Sequence, residues 1–270
     1  MMELITTHTH STFCEHAVDT LDDMIQAAVD AGITTMAMTE HYPITTAFDE
    51  TLNASMLPHR LEDYIRTAKA KQEEHADIDL LVGCELDWFG DLEDRDIDDA
   101  DLKPFDVILG SVHYIDRWLF NSSRFKDIWE QVDIDDAWRA YIDLWCDAAA
   151  SNRPFTIMAH PDVIKKFGYR PSFDLSSSYA RMADAAQAGG RMIEVNTAGI
   201  RDTVNELYPA PGLLEAFCHA EVPCTVGTDA HQIAHIASGI NEAYAAMHDA
   251  GYRFVTVPTR NRGRRTIPIE

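Results

Sequence analysis

Seven of the twelve histidines of this 270-residue chain, with one glutamate and one aspartate, fall in short segments whose residue types suit metal ions. The first segment is HTHSTFCEHA, with His8, His10 and His16 beside Cys14. His41 follows in TEHYP, Glu85 in GCELDW, His113 in GSVHY, His160 in MAHPD, and Asp229 with His231 in GTDAH. Neutral imidazole binds zinc, iron, copper and nickel, and carboxylates bind or bridge divalent ions. In an H-x-H pair on a strand both rings lie on one side, because successive side chains alternate. Seven imidazoles with two carboxylates exceed what one tetrahedral zinc requires, and they suit two or three ions. Cys14 is expected to pack or to touch a ligand from behind rather than to ligate.

These groups gain meaning from the elements that would carry them. Strands are expected at Leu4–Thr7, Thr35–Thr39, Leu80–Glu85, Val107–Val112, Phe155–Ala159, Met192–Asn196, Thr225–Gly227 and Phe254–Val257. Helical patterns separate them. One opens on the capping box Thr20-Leu-Asp-Asp23 and ends near Gly32; others run over Leu61–His75, Ile134–Ala149, Ser177–Ala188, Leu213–Ala220 and Ile240–Asp249. Such alternation predicts an α/β fold, either a βα barrel or a doubly wound sheet. His8, His10, His41, Glu85, His113, His160, Asp229 and His231 all fall at or just past the C-terminal ends of expected strands. In a parallel barrel those ends share one face, so nine groups, His16 included, would converge on one cleft. His59, His75, His219 and His248 lie in helical patterns and read as surface or packing residues. His235, four residues past His231, reads as a rim residue.

Composition narrows the function classes. Hydrophobic residues make up 46% and charged residues 25%, as in ordinary globular enzymes. A formal charge of −23 argues against a sequence-independent nucleic-acid binder, because phosphate backbones are held chiefly by Lys and Arg. The basic segment RNRGRRT (Arg260 to Thr266) is the exception, expected to be a solvated tail or a subunit contact. No apolar run has the roughly 20 residues of a membrane span, and MMELITTHTH lacks the pattern of a secretory signal, so a cytoplasmic location is expected. The five cysteines are odd in number, scattered and without a C-x-x-C pair, which suits reduced thiols. With no Pro/Gly/Ser-rich linker, one domain is expected; the acidic stretch from Gly90 to Asp106 is the best candidate for an insertion.

The segments HTHSTFCEHA, TEHYP, GCELDW, GSVHY, AHPDVIKKFG, EVNTAGIRDTVNELYPAPGLL and GTDAH, in this order, resemble the motifs of the PHP (polymerase and histidinol phosphatase) family, nearest its histidinol-phosphatase branch. The likeness runs from about residue 5 to 236. It implies a single PHP-type domain over residues 1–270, folded as a distorted (β/α)7 TIM-like barrel around two to three divalent ions (Zn, Mn or Fe). By motif, His8, His10, Asp229 and a bridging Glu85 would hold the first ion, Glu85, His113 and His160 the second, and His16, His41 and His231 the third. The family's first motif often carries an acidic residue two positions before the first histidine, where this chain has Thr6; weaker metal binding is the expected consequence.

That resemblance implies hydrolysis of a small phosphomonoester, foremost L-histidinol phosphate, with a metal-bridging hydroxide as nucleophile. Arg201, Lys165 and Lys166 are expected to hold the phosphate, with Arg117 a weaker candidate. His235 or Asp162 could donate a proton to the leaving group, and Asp87, Glu40 or Asp202 could meet the substrate's ammonium. Other readings are a PHP phosphoesterase for nucleotide or sugar phosphates, a non-catalytic PHP module, and a metal-dependent amidohydrolase or deaminase. The full ligand set argues against the module, and His41 and the EVNTAGIR block fit the amidohydrolase poorly. Neither a membrane nor a nucleic-acid partner is expected, and oligomeric state is not readable.

Overall fold

The computed structural model describes residues 2–44, 48, 54–92, 97 and 100–269. Seven parallel strands form its sheet: β1 (Leu4–Thr6), β2 (Ile33–His41), β3 (Asp79–Asp87), β4 (Val107–Ser111), β7 (Ile157–Met158), β8 (Met192–Asn196) and β9 (Cys224–Gly227). They lie side by side in that order, and β9 returns to β1 through Thr7 N–H to Val226 O at 2.9 Å and a bridge between Thr9 and Ala230. The result is a nearly closed barrel. Helices α1 (Leu21–Asp30), α2 (Leu61–Glu74), α3 (Ile134–Ala150), α4 (Ser176–Ala188), α5 (Ala198–Arg201), α6 (Pro211–His219) and α7 (Ile240–Asp249) lie between or after the strands. Thr20 and Asp23 form the expected capping box at the start of α1, satisfying N–H groups that an uncapped first turn would leave unpaired.

The strands bury both faces, so alternation separates two apolar layers. Met36, Met38, Leu80, Val82, Ile108 and Ile193 belong to the large outer core, which the helices cover. Ala37, Leu81, Leu109, Ile157 and Met192 form a smaller cluster inside the barrel. By the same parity, the inward face of β2 continues from Ala37 to His41, and that of β3 from Leu81 to Glu85. The lumen is thus apolar at the bottom and ionisable at the top.

Two expectations need correction. The eighth expected strand, observed as β10 (Phe254–Thr259), does not enter the barrel but pairs antiparallel with β11 (Gly263–Pro268). The basic segment is therefore a hairpin rather than a solvated tail. Its arginines meet groups at the N-terminal ends of the barrel strands: Arg265 reaches Glu3 and Thr35, Arg262 donates to Phe105 O and Leu102 O, and Arg264 donates to Gly190 O. Val255, Val257, Ile267 and Ile269 are buried beneath it, which explains why this charged sequence stays ordered against the body. Between β3 and β4 the acidic stretch is partly outside the described residues, but Leu102 and Phe105 are buried in the core, so its end is anchored rather than solvated. A small hairpin, β5 (Tyr114–Ile115) and β6 (Trp118–Leu119), rises above the top of the barrel.

Candidate metal centre

All nine expected groups meet at the C-terminal ends of the strands. His8 and His10 extend β1, fastened to the last strand's loop by Asp229 N–H to His8 O and His10 N–H to Ala230 O, both 2.9 Å. His41 ends β2 and is paired in register with Glu85, two residues before the end of β3. His113 follows β4, and His160 follows β7. Both His160 (φ 58°) and Asp229 (φ 50°) adopt left-handed backbone, uncommon for residues with a Cβ and found where a loop must aim a side chain.

Donor atoms crowd into three groups. His8 Nε2 and His10 Nε2 lie 3.0 Å apart; Glu85 Oε2 is 3.2 and 3.4 Å from them, and Asp229 Oδ1 is 3.7 and 3.4 Å away. The other oxygen of Glu85, Oε1, faces His160 Nε2 at 3.1 Å and His113 Nε2 at 3.5 Å, with those two nitrogens 3.1 Å apart. His16 Nε2 meets His231 Nε2 at 3.1 Å, and the His41 ring centroid lies 5.1 and 6.1 Å from theirs. His41 Nδ1 is buried without a hydrogen-bond partner although Glu85 Oε2 is 2.9 Å away. Imidazole nitrogens facing one another around a buried carboxylate, one of them orphaned, form a donor set that fits borderline divalent cations.

The charge pattern follows from this crowding. Burial disfavours ionisation of Glu85 and Asp229, yet the imidazoles around them hold both carboxyls well below the usual range. Burial likewise opposes a charge on His8, but Glu194, Asp229 and Glu85 push its pKa up to about 10. His16 is pushed down to about 3 by burial and by the charges of His41 and His10. Burial and His10 hold His231 well below its ordinary value. The carboxylates thus favour protonation of His8 at the barrel axis, while burial and neighbouring imidazoles disfavour it at His16 and His231.

Three acidic residues back the cluster. His8 turns its Nδ1 away from the centre, 3.0 Å from Glu194 Oε1 on β8; Thr6, where an acid was expected, bonds Thr228 instead. Asp87, considered above for the substrate's ammonium, accepts from His113 Nδ1 at 2.8 Å. Glu40 accepts from the N–H and hydroxyl of Ser11, and burial raises its pKa to about 7. Glu194 was not anticipated: its only sequence signal is a charged residue inside a buried strand, in MIEVN. Cys14 is fully buried, with burial raising its pKa, and its donor atom lies near those of His16 and His231.

A cleft of about 830 Å³ opens above the cluster, lined by His16, His41, His113, His160, Lys166 and Asp202 among others. The expected substrate-side residues divide. Lys166 lines the cleft, 3.5 Å from Asp202. Lys165 does not: its fully buried ammonium is tied to Asp162 at 2.9 Å, Glu206 at 3.3 Å and Leu207 O at 2.8 Å, so it braces loops instead of meeting solvent. Asp162 is correspondingly committed to Lys165 and to Ala210 N–H, and is 2% exposed, poorly placed to donate a proton. Arg201 donates to Thr228 O at 2.6 Å, beside Asp229, and does not line the cleft. Likewise His235 sits off the cleft against Gln232, its pKa lowered by burial and by Arg201. Arg117 and Arg124 line the mouth beside the β5–β6 hairpin. His59, His219 and His248 are exposed and His75 half-buried, all away from the cluster.

Comparison with known proteins agrees with this architecture. A family model described as PHP domain matches residues 6–198. A Deinococcus radiodurans protein named "Probable histidinol-phosphatase" is 33% identical over 258 residues, spanning 95% of this chain and 97% of its own. The histidinol-phosphatase of Bacillus subtilis is 26% identical over 263 residues, spanning 89% of this chain and 96% of its own. The crystal structure of a histidinol phosphate phosphatase from Lactococcus lactis, complexed with zinc, L-histidinol and phosphate, superposes with a TM-score of 0.73 at 19% identity, covering 96% of this chain and 98% of that one.

Proposed function

Because the chain belongs to the PHP domain family, we propose that it is a metal-dependent phosphomonoesterase that hydrolyses L-histidinol phosphate to L-histidinol and phosphate, a step of histidine biosynthesis. The observation that carries this reading is the convergence of seven imidazoles and two carboxylates at one barrel mouth, in three groups, two of which share Glu85. His8, His10, Asp229 and Glu85 would hold one divalent ion, Glu85, His113 and His160 a second, and His16, His41 and His231 a third. Divalent ions supply positive charge for the phosphoryl oxygens and activate water for attack at neutral pH. That supply offsets the chain's formal charge of −23, which disfavours a phosphate at long range.

The chain's own residues shape what enters. Lys166 offers a cation at the cleft wall, and Asp202, accepting from the Tyr208 hydroxyl at 2.9 Å, keeps a fixed acid beside it. A phosphate and an ammonium on one small substrate would meet opposite charges there. Arg117 and Arg124 at the mouth add attraction for an anion before it reaches the centre. A panel of L-histidinol phosphate, nucleoside monophosphates and sugar phosphates, assayed for phosphate release, tests the substrate. Preference for histidinol phosphate in kcat/KM is expected; nucleotides turned over a hundredfold faster would overturn the assignment.

A further inference from the structure

We propose that Glu194 is the positioning residue of the first metal site, holding the His8 ring so that only Nε2 faces the ion; this rests on the metal-centre reading above. Glu194 is fully buried in the middle of the barrel mouth, and both of its oxygens lie near His8 Nδ1, at 3.0 and 3.2 Å. A carboxylate accepts only, so Nδ1 is the nitrogen that keeps its proton toward Glu194, and Nε2, facing His10, Glu85 and Asp229, is the one whose proton an ion would displace. The carboxylate is itself fixed. Asn196 Nδ2 donates to Glu194 Oε2 at 2.9 Å, and Asn196 Oδ1 accepts from Ala198 N–H at 2.8 Å, which locks the amide. Space for the contact comes from Gly227 on the neighbouring strand, where a Cβ would overlap both Glu194 Oε1 and the His8 Cβ. Thr6 cannot take this role, since its hydroxyl is engaged with Thr228 and lies near the His8 carbonyl rather than the ring. Two strands thus cooperate: β1 brings the ligand, and β8 sets its tautomer.

A partner of this kind is worth ten- to a hundredfold in metal affinity. Metal titration of the stripped full-length chain, using Zn²⁺ or Mn²⁺ against a competing chelator, tests the proposal without reference to turnover. Glu194→Gln should weaken one ion by ten- to a hundredfold while the others bind as in the wild type and the stripped protein keeps its melting temperature. E194D, which retains the charge but withdraws it by one methylene, should show the same loss of one ion and serves if the glutamine variant misfolds. Wild-type affinity for every ion in these variants would overturn the proposal, as would equal weakening of all ions. His8→Ala separates the two levels of inference. If H8A also binds every ion normally, the metal-centre reading fails; if H8A loses an ion that E194Q keeps, only the role of Glu194 fails.

Discussion

His8 and His16 belong to one short segment, yet their nitrogens face different partners. His8 Nε2 meets His10 and Glu85, whereas His16 Nε2 meets His231. Removing them should therefore empty different positions. H8A is expected to lose the ion nearest Asp229, and H16A the one nearest His231, each variant keeping the other at its normal occupancy in elemental analysis. The same single loss from both would contradict the grouping. At this scale eight of the nine expected groups were legible because each lies at or near a strand end, where type and position agree, and His16 because it shares a segment with His8 and His10. Glu194 was not, since parity places it inside the barrel without saying which ring it faces across 186 residues of chain. Lys165 misled for a related reason. Its neighbour Lys166 reaches the cleft, but one step along the 3-10 turn at Val163–Lys165 turns Lys165 inward, onto Asp162 and Glu206.

Among the elements, the C-terminal hairpin shows how charge can hide an apolar role. Arg262 and Arg264 cap carbonyls, and Arg265 spans Glu3 and Thr35, while Val257 and Ile267 are buried in the outer core. Periodicity exposed the first strand of the hairpin, but the alternating arginines of the second masked its buried partners. Ile267→Ala should cost about 2–5 kcal/mol of stability, read from the denaturant midpoint, and leave kcat per folded molecule unchanged because the metal cluster sits at the opposite end. A large fall in kcat with no loss of stability would show that the hairpin serves the active site instead. The surface pair Arg265–Glu3, about two-fifths exposed on each side, should contribute under about 1 kcal/mol. All the helices but the one-turn α5 were legible nearly to their ends, because capping residues such as Thr20 and the apolar stripe are local signals. The fate of the last expected strand and the short strands β5, β6 and β11 depended on pairing, which local pattern does not carry.

The whole molecule divides its labour along the barrel axis. Its lower lumen is filled by Ala37, Leu81, Leu109, Ile157 and Met192, and its upper rim by the ionisable cluster. That layering ties stability to the closed lower end and chemistry to the open one. No helix among the described residues is long and apolar enough to cross a membrane. On the proposed function, the acidity, with a formal charge of −23, would leave phosphate binding to the metal ions and a few local cations. The most direct test is phosphate release from L-histidinol phosphate by the full chain before chelation, after chelation and after metal is restored, with bound ions counted at each stage. Two to three divalent ions per active chain are expected, with activity lost as they leave and regained as they return. Hydrolysis at an undiminished rate by chain shown to be free of metal would contradict the account.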